Sequence, residues 1–297
     1  MVDIDGDWRR WGAWDPLRLS LSEKAFWEAL WDVAPFELLD ECGLDMVRFG
    51  PVQAGCIAEV PYEPGVNFIL GSGEAGAAEY GHLANAVTWL ETRPLRWSES
   101  FGVDFRVPII PGLPGSAQTE RWLRERGATC EQGPTRLVRD TSPPRFNAPA
   151  GLEACDWDEW DEGFPEPLVE SLGLPSTADS LFIALPIIES DEVWRCYAAI
   201  DGQWDTTAYA YAAMHFDDSG VATLALASRP SELWDGAGQM AVLHRCIEDA
   251  AAAGCDLITV ADAGQDPPVI DRECLIQAGF EVAFRVPTWR SRIEVDV

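Results

Sequence analysis

Apolar and polar positions in the second half of the chain follow an order that predicts strand, loop, helix and strand. Residues 222–228 are short, apolar and followed by Pro230, which cannot donate to a sheet ladder, so we predict a strand there. From Gln239 apolar residues recur every three or four positions until Gly254, which predicts a helix ended by a left-handed glycine. A second strand is predicted at residues 255–261. The order indicates a mixed α/β sheet.

The loop between the first strand and the helix has the composition of an anion site. Residues 233–238 read LWDGAG, and the two glycines leave the backbone open at the start of a helix. Backbone N–H groups at a helix start, with the positive end of the dipole behind them, attract phosphate. The loop therefore predicts pyrophosphate binding, while Asp235 offers the alternative of an N-cap carboxylate on the same N–H groups. The groups concerned belong to Gly236, Ala237, Gly238 and Gln239.

The segments that follow this helix add to the pattern. They are the second strand, a helical segment at residues 269–278, the pair Gly279-Phe280 and an apolar run at residues 282–286. This succession resembles the GNAT superfamily of acyl-CoA-dependent N-acetyltransferases. Its signature is a strand, an Arg/Gln-x-x-Gly-x-Gly/Ala loop, a helix, a strand, a further helix and Gly-Phe. The resemblance covers residues 198–290, with both loop glycines present and Leu233 in place of the leading Arg or Gln.

The resemblance implies where an acyl-CoA donor, acetyl-CoA or a related thioester, would bind. The pyrophosphate would lie on the loop amides, and the pantetheine arm would follow the end of the preceding strand. The strand that starts at Cys255 would splay from it and leave backbone groups free to bind the ligand. A backbone N–H near Leu226 would polarise the thioester carbonyl, as an oxyanion hole does. The residues of this strand end are Leu226, Ala227 and Ser228.

The first half of the chain carries a looser version of the same order. Its segments are NFILGSGEAG from Asn67, a helical pattern from His82, TERWLRERGA from Thr119 and RLVRD from Arg136. This half resembles the amino-terminal half of tandem GNAT proteins, which implies a degenerate domain without a phosphate loop. We predict two GNAT-like domains, residues 1–145 and 146–297, joined through the Pro-rich segment 140–151.

Composition excludes some partners. The formal charge of −29 disfavours nucleic acid and anionic membranes, and it favours a cationic substrate such as an amine; the alternative is that acidity serves solubility. No run of eighteen apolar residues occurs, so we expect a cytoplasmic protein without membrane contact. The cysteines form no C-x-x-C pair and the three histidines have no ligand spacing, so no metal is predicted. The oligomeric state stays open.

Candidate catalytic residues come from the strand before the predicted cofactor strand. Many GNAT enzymes have a Tyr shortly before Gly-Phe, but this chain has Leu275 there. Residues 207–215 alternate so that Tyr209 and Tyr211 should share one face. We predict Tyr211 and His215 as the residues that act on the acyl centre or its leaving group, and core packing of both is the alternative. The basic residues nearest the loop in sequence are Arg229, Arg245 and Arg272.

The resulting functional prediction is an N-acyltransferase that moves an acetyl group from acetyl-CoA to an amine of a small molecule. Two alternatives stay open. The fold could serve other acyl-thioester chemistry, such as decarboxylation or condensation, which the altered loop and the absent Tyr permit. It could also be a non-catalytic binding module, in which the fourteen tryptophans serve an interface rather than a pocket.

Overall fold

The computed structural model describes residues 14–34, 42–62, 65–94, 102–156, 194–201, 208–228, 236–262 and 270–291. Within these residues eleven strands form one mixed sheet with five helices against it. The helices are α1 Pro16–Asp32, α2 His82–Glu91, α3 Ser116–Glu125, α4 Ala237–Ala252 and α5 Arg272–Gln277. The strands are β1 Leu44–Phe49, β2 Val52–Ile57, β3 Phe68–Leu70, β4 Phe105–Pro108, β5 Thr129–Asp140, β6 Leu152–Asp156, β7 Trp194–Asp201, β8 Ala210–Phe216, β9 Val221–Ser228, β10 Leu257–Asp262 and β11 Glu281–Ser291.

The two halves of the chain interlock in the sheet, whose order is β1-β2-β3-β4-β11-β5-β10-β9-β8-β7-β6. Strand β5 of the first half pairs antiparallel with β10 and β11 of the second half. Strand β11 in turn pairs antiparallel with β4. A division at residue 145 therefore separates β5 from β6 along the chain but leaves each half with a strand inside the other's part of the sheet. The two-domain division itself stays a prediction.

The helix predicted from Gln239 is confirmed as α4, which starts two residues earlier at Ala237. Its buried side chains include Met240, Leu243, Ile247 and Ala250, as the spacing of three and four predicted. The helix ends at Ala252 and is followed by Gly254 with φ +83°. The predicted strands on either side are confirmed as β9 and β10.

Helices α4 and α1 cover opposite faces of the sheet. The side chains of Ala212, Leu224 and Leu226 pack in one core with α4. The side chains of Tyr211, Ala213 and Ala225 point the other way, into a core with α1. Helix α1 also packs against β1 and β3, so it contacts strands from both halves of the chain. It begins where Asp15 accepts a hydrogen bond from the backbone N–H of Leu17, with Pro16 as its first residue.

The cysteines are not paired with one another. All eight cysteines are free, and those at 42, 56, 196, 246, 255 and 274 are buried. Burial raises the pKa of Cys56 to about 12, so its thiol stays protonated at neutral pH. No helix in the described part of the chain is both long and apolar enough to cross a bilayer.

Candidate active site

A wedge between β9 and β10 is the main feature of the second half. The two strands pair in parallel from Val221 opposite Leu257 to Leu224 opposite Val260. Strand β9 continues to Ser228, and β10 continues to Asp262 while still pairing with β5. Beyond Leu224 the described residues therefore contain no ladder between these two strands. This is the splay that the family resemblance implied.

The predicted donor-binding residues of β9 lie along this wedge. Leu226, Ala227 and Ser228 pair with β8 on one side, opposite Ala212, Tyr211 and Ala210 in that order. On their other side the ladder to β10 has already ended. Backbone N–H and C=O groups that face this side need a partner other than the neighbouring strand. Strand β9 can therefore offer main-chain hydrogen bonds to an extended ligand in the wedge.

The first turn of α4 follows β9 in the chain and presents backbone amides at its start. Gly236 is the N-cap residue, in the left-handed region at φ 69°, and no side chain of the described residues caps the helix. No acceptor among the described residues bonds the backbone N–H groups of Ala237, Gly238 and Gln239. These N–H groups and the helix dipole make an electropositive position. Leu233, Trp234 and Asp235 lie outside the described residues, so the capping alternative for Asp235 stays open.

Gly236 and Gly238 are required in the loop for different structural reasons. A β-carbon on Gly236 would lie 2.6 Å from Cys274 Sγ, and the positive φ already disfavours any side chain. A β-carbon on Gly238 would lie 2.8 Å from the β-carbon of Tyr209 and 3.2 Å from its carbonyl carbon. Gly238 therefore lets α4 approach the start of β8. Its presence in the sequence is explained by helix packing whether or not a phosphate binds.

A Gly238→Ala substitution should lower stability through this contact. We expect a loss of about 1–2 kcal/mol in the free energy of unfolding, because overpacking costs about 1–3 kcal/mol and the better helix propensity of Ala returns up to about 1 kcal/mol. Urea denaturation followed by circular dichroism measures the change. A variant as stable as the wild type would show that α4 and β8 can separate at no cost.

The side chain of Gln239 is already used by the fold. It is buried, its Nε2 donates to the carbonyl oxygen of Asp271 at 2.8 Å, and its Oε1 accepts from the N–H of Asp271 at 2.9 Å. This pair of bonds fixes the start of α5 against the start of α4. Gln239 can therefore serve a ligand only through its backbone N–H.

The bases nearest the loop in sequence are not equally placed. Arg229 lies outside the described residues. The Nε of Arg245 donates to Asp249 at 2.8 Å, which commits its guanidinium to the middle of α4. Burial raises the pKa of the Asp249 carboxyl, but the hydrogen bonds from Arg245 and Tyr197 and the nearby positive charges together lower it by more. The pKa therefore lies below its usual value. Arg272 is exposed and follows Asp271, which leaves it beside the start of α4.

Tyr211 and His215, the predicted catalytic pair, are not brought together. Both side chains lie on the α1 side of β8, but four residues separate them, which is about 13 Å along a strand. Tyr211 pairs with Ala227 beside the wedge, whereas His215 pairs with Thr223 before the strands part. The two side chains therefore cannot act on one atom.

His215 is enclosed by aromatic rings. Its ring centroid lies 5.0 Å from that of Trp194 and 6.1 Å from that of Phe26, and its Nδ1 is buried without a hydrogen-bond partner in the described structure. Burial lowers the pKa of His215 to about 4, so the ring is neutral at pH 7 and a weak base. This position favours the core-packing alternative for His215.

The predicted alternation of residues 207–215 is wrong at its first positions. Tyr209 packs with the core on the α4 side, and Ala208 lies in the same core as Tyr211 on the α1 side. The reason is that β8 begins at Ala210, so the period of two does not extend to the residues before it. Tyr209 instead forms the surface against which Gly238 packs.

Sequence reasoning missed two charged residues on the α1 side of the wedge. Glu23 of α1 and Arg136 of β5 form an ion pair with 2.9 Å between Oε1 and Nη2. Both come from the first half of the chain, whereas the motif lies in the second half. The only local signal was a charged residue within the apolar closing strand of the first half.

Solved structures with a similar fold include two GCN5-related N-acetyltransferases and a tandem GNAT protein. A GCN5-related N-acetyltransferase from Kribbella flavida is 15% identical, with a TM-score of 0.55 over 84% of this chain and 90% of that one. One from Sphaerobacter thermophilus is 15% identical, with a TM-score of 0.52 over 83% and 79% of the two chains. A tandem GNAT protein from the clavulanic acid biosynthesis pathway is 13% identical, with a TM-score of 0.52 over 81% and 78%.

The protein therefore has the mixed α/β fold of the GNAT superfamily, as the resemblance predicted. No protein-family model matches the sequence, and no curated protein does. At these identities the comparisons establish the fold alone.

Proposed function

We propose that the second half of the chain is an N-acetyltransferase that uses acetyl-CoA as donor. The observation that carries the proposal is the wedge between β9 and β10, which opens beside the first turn of α4, whose amides have no acceptor among the described residues. The amides of Ala237, Gly238 and Gln239 would hold the pyrophosphate. The backbone of Leu226, Ala227 and Ser228 would hold the pantetheine arm.

The groups beside the wedge suit acyl transfer. A backbone N–H of β9 near Leu226 would stabilise negative charge on the thioester oxygen as the amine adds to the carbonyl carbon. The Tyr211 side chain lies next to this stretch, on the α1 side of β8. The surplus of acidic side chains supports an amine as acceptor, since a cation is attracted to this surface. Acceptor identity and acyl chain length lie beyond this proposal.

Ala237 offers a test of the site that spares the fold. It is the first residue of α4 and is half-buried, without the positive φ of Gly236. A carboxylate in the first turn stabilises a helix but repels phosphate. In isothermal titration calorimetry we expect micromolar acetyl-CoA binding by the wild type and at least about tenfold weaker binding by Ala237→Glu, a loss of about 1.4 kcal/mol or more.

Ala237→Gln is the matched control, because it adds the same length of side chain without the charge. We expect it to retain most of the affinity. Equal losses in both variants would indicate steric blocking rather than a phosphate site. Absence of binding by the wild type would contradict the proposal and favour the non-catalytic binding module. In that case the packing of Gly238 against Tyr209 would be sufficient to explain the glycine.

A further inference from the structure

Two consecutive residues of α1 are tied to strands on either side of β10. The Oγ of Ser22 lies 2.7 Å from the Oγ1 of Thr223 on β9. The Oε1 of Glu23 lies 2.9 Å from the Nη2 of Arg136 on β5. In the sheet β10 lies between β9 and β5, and adjacent strands are about 4.8 Å apart. This turn of α1 therefore crosses over β10, on the face opposite α4.

The crossing falls at the apex of the wedge. Thr223 stands one residue before the last pair of the β9–β10 ladder. Arg136 pairs with Ala261, the first residue of β10 beyond that ladder. Glu23 is thus held where the two strands part. The reacting end of a thioester that lies along the wedge from α4 would reach this apex.

The ion pair is incompletely satisfied by the chain. Arg136 is 5% exposed, and the Glu23 side chain is 17% exposed. The Nε of Arg136 is buried and has no acceptor among the described residues. A buried donor without an acceptor costs about 1–3 kcal/mol, so such groups are rare unless a ligand or water completes them. A polar molecule bound here would accept a hydrogen bond from the Nε–H of Arg136 and would also contact the carboxylate of Glu23.

We propose that Glu23 and Arg136 form the acceptor site of the transferase, which rests on the acetyl transfer proposed above. Glu23 binds the ammonium group of the acceptor and is the catalytic base. Arg136 is a positioning residue that holds Glu23 and donates its Nε–H to an oxygen of the same acceptor. The acceptor is therefore a primary amine that carries a hydroxyl, carbonyl or carboxylate oxygen a few bonds from the nitrogen.

The proton balance of the step is simple. Glu23 takes one proton from the ammonium group, and the free amine nitrogen forms a bond with the carbonyl carbon as the carbon–sulfur bond breaks. The acylated nitrogen then gives up its second proton, which passes through water to the departing coenzyme A thiolate, and Glu23 releases its own proton to solvent through its exposed edge. The products are an amide and free coenzyme A.

The substrate class is tested with thiol release from acetyl-CoA. The probes are amino alcohols and amino acids of two to six carbons, each compared with the alkylamine of the same length. We expect kcat/KM for at least one oxygen-bearing amine to exceed that of its alkylamine by about tenfold, the effect of one good hydrogen bond. Equal rates within each pair, or no transfer to any probe, would overturn the assignment.

Variants then test the residues. We expect Glu23→Gln to lower kcat by about 100-fold, as the loss of a general base does, with acetyl-CoA affinity unchanged within about twofold. Arg136→Met should raise KM for the oxygen-bearing amine more than for the alkylamine, and Arg136→Lys should reverse part of this rise in KM. Glu28→Gln is the matched control, because Glu28 is an α1 carboxylate paired with Arg48 on β1, and it should leave the rate unchanged.

The outcomes separate the two proposals. Thermal unfolding establishes whether each variant folds, and Glu23→Asp, which keeps the charge but shortens the side chain, replaces Glu23→Gln if the latter does not fold. A folded Glu23 variant with wild-type kcat would overturn this inference and leave the donor site standing. A wild type that fails to bind acetyl-CoA would overturn both.

Discussion

Replacement of Lys24 by Met is expected to lower the free energy of unfolding by about 3–5 kcal/mol, because it leaves a buried carboxylate without its counter-charge. The Nζ of Lys24 lies 2.6 Å from Oε1 of Glu74, and both side chains are 10% exposed. Lys24 also donates to the carbonyl oxygen of Pro51 at 3.0 Å, and Ser20 lies 2.9 Å from the same Glu74 oxygen. After the substitution the Ser20 hydroxyl would be the one hydrogen-bond partner of the Glu74 carboxylate among the described residues.

The double variant Lys24→Met/Glu74→Gln distinguishes a buried charge from lost packing. We expect it to recover most of the stability, since removal of both charges of a buried pair is often close to neutral. Urea denaturation at pH 7 gives the free energies for the cycle. Glu28→Gln removes one partner of the exposed pair with Arg48 and should cost less than about 1 kcal/mol. The prediction would be contradicted if Lys24→Met alone lowered the free energy of unfolding by less than about 1 kcal/mol, the upper limit for the exposed pair.

The Lys24–Glu74 pair also explains the compact loop of the first half. Gly71 and Glu74 belong to the segment NFILGSGEAG that starts at Asn67. A β-carbon on Gly71 would lie 2.3 Å from the carbonyl oxygen of Pro51. The N–H of Gly115, which precedes α3, donates to the carbonyl oxygen of Gly73 at 2.8 Å. The loop is therefore filled by its own chain. That this half binds no phosphate stays a prediction.

Local patterns predicted the parts of the fold that depend on neighbours in sequence. The spacing of Met240, Leu243 and Ile247 defined the buried side of α4, because a helix places residues three and four apart on one face. The order of strand, loop and helix carried the family resemblance, and that resemblance implied where β9 would leave β10. The wedge residues near Leu226 were therefore accessible from sequence alone.

Contacts between distant segments were not predictable in this way. Nothing in the pattern of residues 129–140 indicates that β5 lies between β10 and β11, since strand pairing over such separations is decided by the whole sheet. The ion pair of Glu23 with Arg136 depends on that arrangement and on the path of α1. The packing role of Gly238 was not predictable for the same reason, because Tyr209, which it contacts, lies just before β8 and far from α4 in the sequence.

The burial of His215 predicts a loss of stability in mild acid. The folded protein holds the pKa of His215 at about 4 because burial disfavours the charged ring, whereas the unfolded chain has the ordinary value of 6.5. As the pH falls below 6.5, His215 becomes protonated in the unfolded chain but stays neutral in the folded protein. The free energy of unfolding should therefore fall by about 1.4 kcal/mol per pH unit, about 3 kcal/mol in total, between pH 6.5 and pH 4.

A His215→Gln variant isolates this effect from the many carboxylates. The substitution removes the titrating ring. As the pH falls from 7 to 4, the free energy of unfolding of the wild type should therefore decrease by about 3 kcal/mol more than that of the variant. The carboxyls of Asp140, Asp249 and Asp256, whose pKa values lie below their usual 3.8, lose their stabilising effect only below about pH 4 and are common to both proteins. Urea denaturation at half-unit steps of pH gives both curves. Parallel curves would show that His215 can take up a proton in the folded state, and the hydrophobic enclosure by Trp194 and Phe26 would then not govern its charge.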